Sequence, residues 1–183
     1  MNVAVCEYGA GNVRSVVLAF GRLGIDAAVT SDPDDVEDAD LAVLPGVGSA
    51  ASAMAGLRAR GLDDALRDRV AAGRATLGIC LGLQLALDAT EVDGGVDGLG
   101  IIPGRAVRLR EGRVPRIGWA TIEPSGDAFY FAHSYAAETT AATARSEGVV
   151  AVAEHGAFVG VQFHPEKSGS AGARFLERCL SRV

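Results

Sequence analysis

The segment Thr76-Leu-Gly-Ile-Cys-Leu-Gly-Leu-Gln-Leu-Ala-Leu87 decides the fold. Ala75–Ile79 is a short apolar run of strand type, and Leu81–Ala89 has helical character. A strand that passes straight into a helix carries its turn residue to the rim of a sheet. Gly78 and Gly82, placed symmetrically about Cys80, relieve the crowding of so sharp a bend. This is the arrangement of a nucleophile elbow. A thiol there meets the positive end of a helix, which favours thiolate, and the N–H of Leu81 is free to face a developing oxyanion. Two readings of Cys80 stay open: a nucleophile, or a small buried apolar residue, as most free cysteines are.

Upstream of the elbow the chain has the grammar of βα units on a parallel sheet. Asn2–Cys6, Ala27–Thr30 and Leu41–Leu44 read as strands. Val13, Val16, Val17, Phe20 and Leu23 recur at helical spacing before a Gly24 stop. The acidic stretch SDPDDVEDAD reads as a solvated loop or a short helix. One helix is expected from about Ser49 to Ala72, with Leu62, Leu66 and Val70 stacked on one face. After Glu91 the pattern changes to turn-rich sequence and short alternating runs: Arg105–Arg110, Arg116–Ile122, Phe129–Ser134, Val149–Ala153 and Phe158–Phe163. A final amphipathic helix over Ala171–Arg182 closes the chain. The expected architecture is α/β, a mostly parallel central sheet flanked by helices, with antiparallel strands added in the second half and one domain over residues 1–183.

Composition narrows the classes of function. At 183 residues the chain suits one core, since domains typically hold about 100–150 residues. Its mean hydropathy is +0.22, yet no apolar run is long enough to span a membrane. The N-terminal MNVAVCEYGAGN lacks a basic leader and meets Glu7 early, so a cytosolic protein is expected. Three cysteines without CxxC spacing argue against a disulfide framework or a zinc knuckle. With a formal net charge of −6 and basic residues scattered along the chain, nucleic acid is not expected as a partner. Gly9-Ala-Gly11 invites a dinucleotide-binding reading, but Arg14 stands where the third glycine of that fingerprint belongs.

A thiolate nucleophile needs an imidazole to take and return protons. Of the three histidines, His164 ends the run VGVQFH just before the strand-stopping Pro165, and Glu166 follows close enough to hold the ring by one nitrogen. A surface HxE with no such role is the competing reading. His133 and His155 lack a companion carboxylate and read as structural or surface residues, while Cys6 and Cys179 read as core.

Gly78-Ile-Cys80-Leu-Gly82-Leu-Gln84 and Gln162-Phe-His164-Pro-Glu166 together resemble the two motifs of the class I, or triad, glutamine amidotransferases. The resemblance implies that family's fold, a Cys80–His164–Glu166 triad, attack of Cys80 on the side-chain amide of glutamine, and hydrolysis of a glutamyl thioester. Glu7–Ser15 (EYGAGNVRS), Leu44–Ser49 (LPGVGS), Phe131–Tyr135 (FAHSY) and Gln162–Ser168 (QFHPEKS) are similar to one branch of the family, the glutaminase subunits of imidazole glycerol phosphate synthases in histidine biosynthesis. That branch implies a heterodimer with a (β/α)₈-barrel cyclase, which receives the ammonia through its interior. It also implies oxyanion donors at Val47 and Leu81, glutamine contacts from Gly48, Gln84, Ser134 and Tyr135, and partner contacts at Asn12, Trp119 and Lys167. No cofactor and no metal is implied.

The residues also have plainer readings. Asn12 suits a helix N-cap, Gln84 a polar helix start, Ser134 and Tyr135 an edge strand, Trp119 a core or rim aromatic, and Lys167 a loop charge. The chain departs from the family's common Pro-His-Met-Gly-Trp-Asn at Pro115-Arg-Ile-Gly-Trp-Ala120. Rival functions are a glutaminase subunit for another synthase, a cysteine hydrolase of similar fold acting on peptides, and a non-catalytic regulatory subunit.

Overall fold

The computed structural model describes residues Met1–Val183. The first half alternates strands and helices: β1 Val3–Cys6, α1 Val13–Arg22, β2 Ala27–Thr30, α2 Pro33–Asp38, β3 Leu41–Leu44, α3 Ala50–Arg58, α4 Leu62–Ala71, β4 Thr76–Ile79 and α5 Leu81–Ala86. The second half is mostly strand: β5 Leu87–Thr90, β6 Val96–Asp97, β7 Ile102–Arg108, β8 Arg116–Thr121, β9 Ala128–His133, β10 Tyr135–Glu138, β11 Ala142–Ser146, β12 Val149–His155 and β13 Phe158–Val161. Helix α6, Gly169–Leu180, ends the fold.

A seven-stranded sheet in the order β11-β12-β13-β4-β3-β1-β2 forms the centre. Strands β2, β1, β3, β4 and β13 run parallel, and β12 and β11 continue the sheet antiparallel. Strands β1, β3, β4 and β13 are buried at every position, because helices cover both faces of the sheet. Their side chains alternate between two apolar clusters. Ala4, Cys6, Ala42 and Leu44 point toward α3, α4 and α5, where Met54, Leu57, Leu62 and Leu66 meet them. Val3, Val5, Leu41, Val43, Leu77 and Ile79 point toward α1 and α6, against Phe20, Phe175 and Leu176. A second sheet, β10-β7-β5-β6, and the β8–β9 ribbon flank this core.

The structure corrects the sequence reading in three places. The helix expected over 49–72 is two helices, interrupted at Gly61, which sits in the left-handed region at φ 70°. The helix expected over 81–89 stops at Ala86, and Leu87–Thr90 pairs with β7 and β6. LQLALDAT carries apolar residues at both periods, so partner strands decide its state. The run Phe129–Ser134 splits at Ser134, after which β10 leaves β9 to pair with β7. SDPDDVEDAD contains the short helix α2, begun by Pro33 and capped by Asp32, whose side chain accepts from the Asp34 N–H at 3.0 Å. No helix is long and apolar enough to cross a membrane.

Candidate active site

Strands β4 and β13 pair in parallel with Ile79 opposite Val161. That pairing brings the residues that follow them, Cys80 from one strand and Gln162 to Glu166 from the other, to the same rim of the sheet. The Cys80 N–H donates to the Val161 carbonyl at 2.7 Å, fastening the elbow to β13. Cys80 has φ 53° and ψ −104°, a sparsely populated conformation that costs about 1–3 kcal/mol where packing does not hold it. The packing is tight. A Cβ on Gly78 would lie 2.6 Å from the Phe158 ring, and one on Gly82 would lie 2.0 Å from the Leu44 carbonyl oxygen. Helix α5 has only six residues, so it offers the sulfur little macrodipole.

The sulfur is 3.5 Å from Nε2 of Gln162 and 3.9 Å from the Ala132 carbonyl oxygen. His164 stands beside it. Its Nδ1 lies 2.8 Å from Oε1 of Glu166, which fixes Nδ1–H as donor and leaves Nε2 for the thiol side. The imidazole and carboxylate side chains are at most 3% exposed. Burial opposes the charged imidazole, but hydrogen bonds to Cys80 and Glu166, with their negative charge, outweigh it and push His164 up to about 9. A short 3₁₀ turn over Pro165–Lys167 swings Glu166 back beneath the ring. The Ser168 hydroxyl ties that turn down by donating to the His164 carbonyl at 2.6 Å.

A cavity of about 260 Å³ opens over Cys80. Val47, Gly48, Leu81, Gln84, Ser134 and Tyr135 line it. The amide nitrogen of Gln84 is committed elsewhere: its Nε2 donates to the Tyr135 carbonyl at 2.9 Å and to Oε1 of Gln162 at 3.1 Å. Asn12 borders a narrow crevice on the far side of His164 and Glu166. It holds the N-cap position of α1 without a side-chain capping bond. Trp119 is a rim aromatic, 59% exposed and edge-on to Tyr130, and Lys167 is exposed in the turn after Glu166.

The Pro45–Gly48 turn is closed over the elbow. The Leu81 N–H, which opens α5, donates to the Gly46 carbonyl at 3.4 Å. Gly46 and Val47 share that peptide group, so with its oxygen aimed at Leu81 the Val47 N–H points the opposite way. Gly46 packs closely here, since a Cβ would sit 2.7 Å from the Leu81 Cβ. Tyr8 anchors the other end of the turn through its hydroxyl, which donates to the Pro45 carbonyl.

Two polar residues at the site, Gln162 and His133, carry no catalytic or binding expectation from the sequence. Gln162 is fully buried, links Gln84 to the sulfur, and was visible as the polar residue in the otherwise apolar run FVGVQF. His133, expected from the sequence as a structural or surface residue, lines the cavity and is 5% exposed. Its Nδ1 faces the Tyr135 carbonyl at 2.9 Å, and its Nε2 is buried without a partner. Burial, reinforced by the charges of Arg116 and His164, pushes its imidazole down to about 4.

Comparison with known proteins gives a consistent picture. Residues 4–183 match the family described as glutamine amidotransferase class-I. A protein of Methanothermobacter thermautotrophicus named imidazole glycerol phosphate synthase subunit HisH is 44% identical, with 99% of this chain and 98% of the relative covered. The protein of that name from Symbiobacterium thermophilum is 42% identical over 95% of this chain and 91% of its own length. Among solved structures, one described as a glutamine amidotransferase superposes with a TM-score of 0.81 at 22% identity, covering 98% of this chain and 97% of that one. PurLQS from Thermotoga maritima gives a TM-score of 0.75 at 16% identity, over 98% of this chain and 97% of that one, a likeness of fold.

Proposed function

This chain belongs to the class I glutamine amidotransferases, and from that premise we propose that it is the glutaminase subunit of an imidazole glycerol phosphate synthase. It hydrolyses glutamine to glutamate and ammonia and delivers the ammonia to a cyclase subunit. The observation that carries this reading is the His164 ring, held by Glu166 on one side and set on the other against Cys80, which lines the cavity. A cavity of about 260 Å³ suits a single amino acid better than a peptide.

The proton of the pair rests on the His164 ring, pushed up to about 9, and the sulfur attacks the side-chain carbonyl carbon of glutamine. The tetrahedral intermediate collapses as the imidazolium returns that proton to the departing nitrogen, releasing ammonia and leaving a thioester. Water, deprotonated by the now neutral His164, attacks the thioester, and glutamate leaves with that proton kept on the ring beside the sulfur. Glu166 holds the ring and stabilises its charged form. Gly48, Gln84, Ser134 and Tyr135 shape the glutamine site, with Gln84 acting through the carbonyl of Tyr135.

The oxyanion needs two donors, the N–H groups of Leu81 and Val47. Both become available if the Gly46–Val47 peptide rotates, since one motion takes the Gly46 oxygen off Leu81 and turns the Val47 N–H inward. The glycines on either side of Val47 permit such a rotation. The subunit alone is therefore slow, and partner docking shifts the turn toward the open arrangement. Val47 and Ile117, which line the cavity, are 40% and 63% exposed, and Trp119, two residues further along β8, is 59% exposed, an apolar surface suited to that partner. Asn12 and Lys167 complete the docking face, and the partner is a (β/α)₈-barrel cyclase that receives ammonia through its interior.

The test uses the complex with the cyclase. Cys80→Ala is expected to abolish synthesis driven by glutamine while synthesis from added ammonium salt continues. Loss of both activities would assign Cys80 a structural role, and retained glutamine use would remove it from the chemistry.

A further inference from the structure

The chain carries a formal net charge of −6, yet one face gathers positive charge. An open cleft of about 910 Å³ lies between β7 and the loop behind it, β8, β10 and the β11–β12 hairpin. Of the 17 Lys and Arg residues in the chain, six line this one cleft: Arg105, Arg108, Arg110, Arg113, Arg116 and Arg145. Five of them fall within residues 105–116, and the β11–β12 hairpin brings Arg145 to the same wall.

Three carboxylates, Glu111, Glu138 and Glu147, share the lining. Two are already engaged, Glu138 with Arg105 at 3.4 Å and Glu147 with Arg116 at 2.9 Å. Arg108, Arg110 and Arg113 make no ion pair, and Arg145 gives one nitrogen to the Gly148 carbonyl at 2.9 Å. The guanidinium of Arg116 lies 4.4 Å from the centre of the Phe131 ring, which fixes its plane, and its Nη1 is buried without a partner. A concave wall of like charge with few counter-charges focuses an attractive field on anions. Planar guanidinium forks match the oxygens of phosphate in paired hydrogen bonds, and the volume falls in the range of small-molecule sites, roughly 300–1,000 Å³.

We propose that this cleft is a second ligand site that binds a small phosphorylated metabolite, a phosphomonoester or diphosphate, apart from the glutamine cavity. The excess of guanidinium over carboxylate calls for a multivalent anion, which a single carboxylate is not. The acidic remainder of the surface repels a long polyanion, so the ligand is small. Ile117 lines both cavities, so the two sites share a wall.

Isothermal titration calorimetry of the full chain with inorganic pyrophosphate at low salt tests this. The expected result is saturable one-to-one binding that weakens as sodium chloride is added. Arg110→Gln combined with Arg113→Gln, both in the exposed loop, lowers affinity by at least about tenfold with unchanged thermal unfolding. Arg58→Gln combined with Arg60→Gln, on and just beyond α3, leaves affinity as it was. Absence of saturable binding, or equal loss in both double variants, overturns the site. Tighter binding of a single-stranded oligonucleotide than of pyrophosphate overturns the small-ligand reading in favour of a nucleic-acid surface.

Discussion

Around the sulfur, the groups that face it are held in place by neighbouring residues. Glu166 sets the tautomer of His164, Ser168 holds the turn that delivers Glu166, and Gln162 joins the sulfur to Gln84. Gln162 is the sharpest test of this arrangement, because it touches Cys80 without taking part in proton transfer. Gln162→Leu keeps the volume and removes the amide. A hydrogen bond to a charged group is worth about 1.5–3 kcal/mol, so glutaminase kcat/KM of the complex is expected to fall about 10- to 100-fold. Ammonium-driven synthesis and the circular dichroism spectrum are expected to stay as in the wild type. Full glutaminase activity in that variant would show that Gln162 only fills space.

Among the elements, one side chain ties three together. Arg69 on α4 is 1% exposed and reaches the end of α2 and the start of β4. It donates to the carbonyls of Glu37 and Ala39 at 3.1 Å each and of Ala75 at 2.7 Å, to the Thr76 hydroxyl at 2.9 Å, and to the Val36 carbonyl. Arg69→Leu strands these carbonyls away from water and is expected to cost at least about 3 kcal/mol, read as a lower urea midpoint. Arg69→Lys is expected to recover little, since one ammonium cannot bridge both α2 and β4. A midpoint near that of the wild type in either variant would refute the clamp.

The same scale shows what the sequence makes legible. Strands β1, β3, β4 and β13 are continuous apolar runs, as strands buried on both faces must be, and they can be read directly. Cys80, His164 and Glu166 can be read because each lies where a run ends. Strands β5, β6, β10 and β11 could not be read: their sequences are short and mixed, and they exist because partner strands lie alongside. The break at Gly61 is hidden because the apolar spacing continues across it. Arg69 is equally hidden, since an arginine gives no sign of burial until distant segments meet, whereas five of the six cleft arginines already crowd into residues 105–116 and only Arg145 joins them through the fold.

For the molecule as a whole, two histidines near one cavity respond to pH in opposite directions. His133 falls from an ordinary 6.5 to about 4 on folding, so the unfolded chain binds the extra proton between those values and stability drops as pH falls through that window. The shift corresponds to about 3 kcal/mol at its limit. His164 rises from 6.5 to about 9, so the native state holds the extra proton and its stabilisation is lost as pH rises through that range. Melting temperature is therefore expected to peak near pH 6.5. His133→Asn is expected to flatten the acid side and Cys80→Ala the alkaline side, both followed by differential scanning calorimetry. A profile unchanged by either substitution would remove these residues as its cause.

The insertion of β13 between β4 and β12 also has a bearing on synthesis. Contacts between residues so distant in the chain are costly to close and form late. A ribosome-bound chain that has already extruded Cys80 has neither the neighbouring strand nor the imidazole, so under the proposed mechanism it carries the nucleophile without the base. Unfinished polypeptides therefore do not consume glutamine, and hydrolytic competence begins only when the carboxy-terminal portion has docked.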